Sequence, residues 1–192
     1  TLHQNFNAYS RKLNEVQKEE WTKVKGRFQE LVFVEPIEQL LYLASTQIDA
    51  SRTMQNDDSV IDSLASLAKK TGFVSQNFSE ATALALAPLE PFAAYVITQA
   101  IQRYGQNERS LFSFLNARGR NSLSEYEGKI YQLQCCYDYI YYNFYSYLKE
   151  ANADSMQWSS MQVAIERVEG QLWETKTDLV DAIKLVKAIG LL

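Results

Sequence analysis

Histidine is nearly missing from this 192-residue chain: His3 is the one present. A single terminal histidine cannot complete a Ser-His-Asp or Cys-His constellation. With only two cysteines beside it, no closed metal site at the usual ligand spacing can be built either. Those two, Cys135 and Cys136, are adjacent within a helical pattern and point apart, which argues against a disulfide between them. They read as reduced thiols of a cytoplasmic protein. No apolar run approaches the ~18 residues that span a bilayer, and no signal-peptide pattern opens the chain. A basic excess is missing too. Nineteen Lys and Arg stand against 23 Asp and Glu, and the net charge of −4 excludes a general nucleic-acid binder. There is no G-x-x-x-x-G-K-[ST] to cradle a triphosphate, and no apolar strand ends in paired acids fit for Mg²⁺. Asp57-Asp58 follows polar residues, and Glu19-Glu20 has the look of a solvated helix surface. The isolated chain is therefore expected not to be an enzyme.

Glycine (7) and proline (3) are scarce, and 46% of residues are hydrophobic, enough for a core in one or two domains. Long stretches with apolar residues at helical spacing predict a mostly α protein with at most one or two short strands. From Asn5 to Gly26, Phe6, Tyr9, Leu13, Val16 and Val24 mark an amphipathic helix, or two shorter ones, with a basic-leaning solvated face. Leu31–Val34 is too short for a helix and rich in strand formers. Pro36 suits the first position of a helix carrying Ile37, Leu40, Leu41, Ala44 and Ile48 on its buried side. Asp49–Asp58 reads as a loop. Asp58 caps a helix lined by Val60, Ile61, Leu64 and Leu67, which ends at Thr71-Gly72. Ser79 caps a short helix stopped by Pro88, and Pro91 opens another that closes at Gly105.

The stretch from Arg103 to Leu115, RYGQNERSLFSFL, joins two helices. Gly105 ends one, Asn107 caps the next, and Leu111, Phe112, Phe114 and Leu115 give the second its buried side. Arg109 falls in the first turn, where free N–H groups and the positive end of the helix dipole already lie. A cation gains nothing there from the helix itself. One reading is that it meets an anion, since a helix N-terminus plus an arginine suits a phosphate. The other is an exposed arginine paired with Glu108 or Glu90.

Gly105-Gln106-Asn107-Glu108-Arg109, followed by Leu111 and Leu115, resembles the sensor-2 segment of AAA+ ATPases, with one extra residue between Gly and Arg. Gly26-Arg27-Phe28, then Leu31–Val34 and Pro36, resembles the region before the last core strand of AAA+ initiator and related STAND-like signalling ATPases. The resemblance covers roughly residues 1–115. It implies that Arg109, with Asn107, reaches nucleotide phosphates, and that Arg27 is an arginine-finger candidate facing a neighbouring subunit. Arg27 as a simple loop anchor is the alternative. It also implies that His3, Gln4 and Asn5 are sensor-1 candidates at the tail of a core strand. ATP and Mg²⁺ would be cofactors of the full-length protein, held by an upstream nucleotide-binding core, with a homo-oligomer as the assembly. Residues 1–35 would then be the tail of the ATPase core, 36–118 a helical lid, and 119–192 a helical extension. The expected function is the regulatory lid fragment of a bacterial ATPase of defence or DNA maintenance. Nucleic acid would be bound only through further domains.

Arg118–Ser122 is the expected boundary between lid and extension. Beyond it Leu123, Tyr126, Ile130, Leu133, Tyr137, Ile140, Phe144 and Tyr147 step by three and four, a heptad-like seam that Gly128 could bend. The rival function follows from it: a stand-alone helical interaction module whose helix 122–150 binds a protein partner. The tyrosine-dense part of that stretch lacks accompanying bases, so it reads as core with phenol groups at polar rims. Asp154 or Ser155 caps the next helix, lined by Trp158, Met161, Ile165, Val168 and Leu172. Leu179, Ile183, Val186 and Ile189 mark the last one. Thr1 at the start and Gly190-Leu191-Leu192 at the end suggest a fragment of a longer chain.

Overall fold

A computed structural model of the chain describes residues 13–27, 36–48, 58–104, 108–116, 119–149 and 154–192, with the side chains of Glu108, Arg109 and Tyr147 outside that description. The chain divides into two compact units, Thr1–Glu35 and Pro36–Leu192. As expected from its periodicity, the protein is mostly α-helical, and no sheet forms among the described residues. The Leu31–Val34 run lies outside those residues.

In the first unit α1 spans Glu15–Lys25. Asn14 starts it through a reciprocal capping box, its side chain accepting from the Gln17 N–H at 2.9 Å while Gln17 accepts from the Asn14 N–H at 3.1 Å. Two of its lysines are spent locally: Lys18 pairs with Glu15 and Lys23 with Glu20, both in solvent. Such pairs add little stability.

The second unit is built around α5, Pro91–Tyr104, whose buried residues lie on more than one face. Ala93, Ala94 and Ala100 let neighbours approach closely while Phe92, Ile97 and Ile101 supply volume. Against it pack α2 (Ile37–Ser45), α3 (Asp58–Lys70), α6 (Glu108–Asn116) and α7 (Leu133–Asn143). The short α4 (Glu80–Ala85) lies between α2 and α3. A last hairpin, α9 (Ser155–Glu169) and α10 (Lys176–Leu191), covers α7 through α10. One core cluster runs from Leu40 to Ile165, and the segment 119–122 is crossed by it.

Most local signals act as written. Ser79 accepts the Thr82 N–H at 3.0 Å to start α4, and Pro91 opens α5. Gly72, at φ +77°, takes the left-handed conformation just past α3. On α3 the core side is Ile61, Ala65 and Ala68, with Leu64 half-buried, whereas Val60 and Leu67 face water. Leu172 is not on the α9 stripe: it lies past Gly170 and is fully exposed.

The expected continuous helix 122–150 is corrected. It is a 3-10 turn, η1 (Leu123–Glu125), an irregular stretch, α7, and the short α8 (Tyr145–Lys149). Tertiary hydrogen bonds explain the break. Tyr131 donates its N–H to Pro88 O at 2.7 Å and accepts from Glu90 N–H at 3.2 Å, forming a parallel bridge with Leu89 that uses groups a helix would need. The Tyr126 hydroxyl meets Ile130 O at 2.5 Å, and a Cβ at Gly128 would strike the Tyr126 ring. Of the seam, Leu123, Leu133, Tyr137 and Ile140 are core. In the tyrosine-dense part Tyr137 and Tyr139 are core, with the Tyr137 hydroxyl accepting from the Gln162 side chain, whereas Tyr142 and Tyr145 are exposed.

Candidate functional site

The end of α5 and the start of α6 carry the chemistry that the sequence singles out. Helix α6 starts at Glu108, so Arg109 is its second residue and lies in the first turn. The helix is anchored by Leu111, Phe114 and Leu115, all buried. Phe114 sits edge-on to Tyr131 and Tyr139, with centroids at 5.5 and 4.8 Å. The backbone that presents Arg109 is thus fixed by core contacts one turn further on.

The last turn of α5 is held from a distant part of the chain. Asp154, only 7% exposed, accepts a hydrogen bond from the Tyr104 hydroxyl at 2.9 Å through Oδ2 and an ion-paired one from Arg103 Nη2 through Oδ1. The pair spans the last two residues of α5. Burial, first of all, pushes the Tyr104 phenol up from its ordinary value, so it stays a donor at neutral pH. The Tyr104 ring meets Phe144 at 6.0 Å, and the Arg103 guanidinium lies 5.8 Å from the Tyr104 ring centre. Asp154 occupies the N-cap position of α9, yet its side chain caps nothing there. Its own carbonyl still accepts the first helical bond from Trp158 N–H at 3.0 Å. A residue type suited to capping has been spent on a tertiary clamp.

A second buried carboxylate lies at the opposite end of α5. Glu90, 6% exposed, accepts the Leu133 N–H at 2.9 Å and so supplies α7 with an acceptor at its N-terminus. Desolvation raises its pKa, and the Leu133 bond pulls it partly back. Glu90 is thus a buried acceptor rather than a surface acid. Cys136 is fully buried and Cys135 half-buried nearby, and burial pushes both thiols up, which leaves them poor nucleophiles.

Of the predicted site residues, His3, Gln4, Asn5 and Asn107 lie outside the described residues, as does the Arg109 side chain. Arg27 is exposed in the turn after α1, its N–H donating to Val24 O at 3.0 Å, and belongs to the first unit. No group of His, Cys, Asp and Glu able to hold a metal ion occurs among the described residues, nor any helix long and apolar enough to cross a membrane. What sequence reasoning missed is the Asp154 clamp, whose one signal is an acid at a cap position following an Arg-Tyr helix end.

The α9–α10 hairpin carries an open groove of about 520 Å³ lined by Met156, Ser160, Val163, Ala164, Arg167 and Val186, among others. Met156 is 79% exposed, and Leu185 and Ile189 lie exposed on α10.

Set against known protein families, curated proteins and solved structures, the chain matches none of them.

Proposed function

We propose that the chain is the lid and helical extension of an ATP-hydrolysing AAA+ or STAND-like protein, in which Arg109 binds the nucleotide phosphates. The observation that carries this reading is the position of Arg109 in the first turn of a helix anchored by Leu111, Phe114 and Leu115. A planar guanidinium there adds a two-pronged donor to the free N–H groups of the helix start. The triphosphate cradle and Mg²⁺ ligands would come from a nucleotide-binding core, because the chain has no phosphate-loop motif. Bacterial defence or DNA maintenance remains the setting that the resemblance implies. The test is equilibrium binding of a fluorescent ATP analogue with Mg²⁺ to the natural polypeptide that carries these residues. Arg109→Ala weakens binding, and Arg109→Lys restores only part of it, since an ammonium cannot reproduce the fork. Equal affinity in all three forms would remove Arg109 from the site.

The α9–α10 groove favours a second reading, a helical interaction module. Its occupant would be an amphipathic partner helix bearing an acid, because Arg167 is the charged group among its lining residues. Arg167→Glu would then abolish that association while Arg167→Lys spares it, a contrast that co-purification from the native host measures.

A further inference from the structure

We propose that Tyr142 and Tyr145, with Arg120 and Lys149, form a stacking platform for single-stranded nucleic acid where α7 gives way to α8. The platform lies apart from Arg109 and does not depend on it. Tyr142 is 48% and Tyr145 37% exposed, in a run whose Tyr137 and Tyr139 are core. The exposed rings are nonetheless held. Tyr141 stands edge-on to both, with centroids 6.2 Å from Tyr142 and 5.2 Å from Tyr145. It lies parallel to Tyr137 at 5.9 Å and tilted against the buried Trp158 at 6.5 Å. The two surface rings therefore continue an aromatic column rooted in the core. Packing accounts for the buried end of that column but not for the exposed one.

The sequence places few bases beside these tyrosines, and the fold supplies them. The Arg120 guanidinium lies over the Tyr142 ring, 3.9 Å from its centre, and the Lys149 ammonium over the Tyr145 ring at 4.6 Å. Arg120 is delivered by a fixed turn. Asn121 takes a left-handed φ of +63°, the Tyr131 hydroxyl donates to Asn121 O at 2.7 Å, and the Asn143 amide donates to Arg120 O at 3.4 Å. Both cations are exposed, and no carboxylate among the described residues pairs with either. Asp138, the acid one turn before Tyr142, is taken up by Lys187 at 2.6 Å. The platform is thus locally positive in a chain of net charge −4. Rings on which bases stack, beside cations that meet phosphates, are the two parts of a single-strand site. A duplex keeps its base faces inside its own stack, and an acidic peptide would use the cations while leaving the rings idle. Two cations make few phosphate contacts, so the net charge that excludes a general nucleic-acid binder leaves this local site open.

The experiment is fluorescence anisotropy of a labelled oligothymidylate of about 12 nucleotides, within the site sizes of such surfaces, titrated with the full chain at low salt. The same oligonucleotide annealed to its complement, and poly-glutamate, are the comparison probes. The single strand should bind, with duplex and poly-glutamate at least about 5-fold weaker, the scale of one stacked base. Tyr142→Ala and Tyr145→Ala should each weaken single-strand binding by about 5-fold or more, whereas Tyr142→Phe keeps both ring and affinity. Arg120→Ala should weaken binding and lower the slope of log affinity against log salt by about 0.7, one phosphate contact on a single strand. Arg120→Glu and Lys149→Glu alter exposed side chains only, so they serve if a tyrosine variant does not fold, and each should abolish binding. No anisotropy change with the wild-type chain would overturn the proposal, as would equal affinity for duplex or poly-glutamate. So would wild-type affinity in the folded alanine or glutamate variants, or a loss in Tyr142→Phe equal to that in Tyr142→Ala.

Discussion

Glu90 and Leu133 are joined by a hydrogen bond of 2.9 Å from the Leu133 N–H to the Glu90 carboxylate, across 43 positions of sequence. Burial opposes the charge that would make this bond strongest, and Glu90 titrates above its ordinary value near 4.5. A raised acid binds its proton more tightly in the native state than in the unfolded one. Its contribution is thus fully present below the unfolded pKa and is lost as pH rises through the folded value. Glu90→Gln keeps a carbonyl acceptor for Leu133 and cannot ionise. The expected outcome is that melting temperatures of variant and wild type lie closest near pH 4 and diverge in favour of Glu90→Gln toward pH 8. Parallel curves in a pH series of thermal melts would contradict this.

Phe114 is fully buried between Tyr131 and Tyr139 and anchors the helix that bears Arg109. Phe114→Ala should cost about 3–5 kcal/mol, the range for deleting a buried aromatic ring. Leu185→Ser, at a 61% exposed position, should stay within about 0.5 kcal/mol. Urea unfolding of the two variants checks both. Similar losses would mean that the core has been placed on the wrong face.

Gly190 lies in the last turn of α10, where a Cβ would come within 2.6 Å of Met161 Cε and 2.8 Å of its Cγ. Methionine can adapt, but Met161 is 6% exposed and has little room. Overpacking outweighs the small helix-propensity gain near a helix end, so Gly190→Ala should destabilise by about 1 kcal/mol. Gly190→Ala with Met161→Leu should regain part of that loss. A stabilising single variant would show that the hairpin is looser than its contacts indicate.

Much of this architecture is legible residue by residue, for a physical reason. Ser79, Gly72 and Pro91 act through bonds and φ angles within a few residues, so their roles survive whatever the rest of the chain does. The stretch from Leu123 to Tyr147 shows the limit. Its spacing suits a helix, yet Tyr131 gives its N–H to Pro88, a partner no local pattern reveals. Asp154 is the same lesson at the candidate site, read as a cap and used as a clamp on Arg103 and Tyr104. Glu90 reads as surface and lies in the core. The position of Arg109 in a first turn is legible because the apolar stripe is a local signal; the caps read at Gly105 and Asn107 lie outside the described residues. What that arginine meets is a matter of groups beyond the pattern.

The most direct test of the central claim, that these residues serve an ATP site, is hydrolysis by mixed subunits of the natural polypeptide. Arg109→Ala and Arg27→Ala should each lower turnover, the latter by roughly 10³–10⁵ if Arg27 is an arginine finger. Each variant is then mixed with subunits disabled in the phosphate loop. Arg27 would act on the neighbour's nucleotide, so a loop-disabled partner supplies an intact finger and activity returns. Arg109 would act on its own subunit's nucleotide, so the same partner gives no rescue. Turnover unchanged by Arg109→Ala, or restored to it by the loop-disabled partner, would contradict the account.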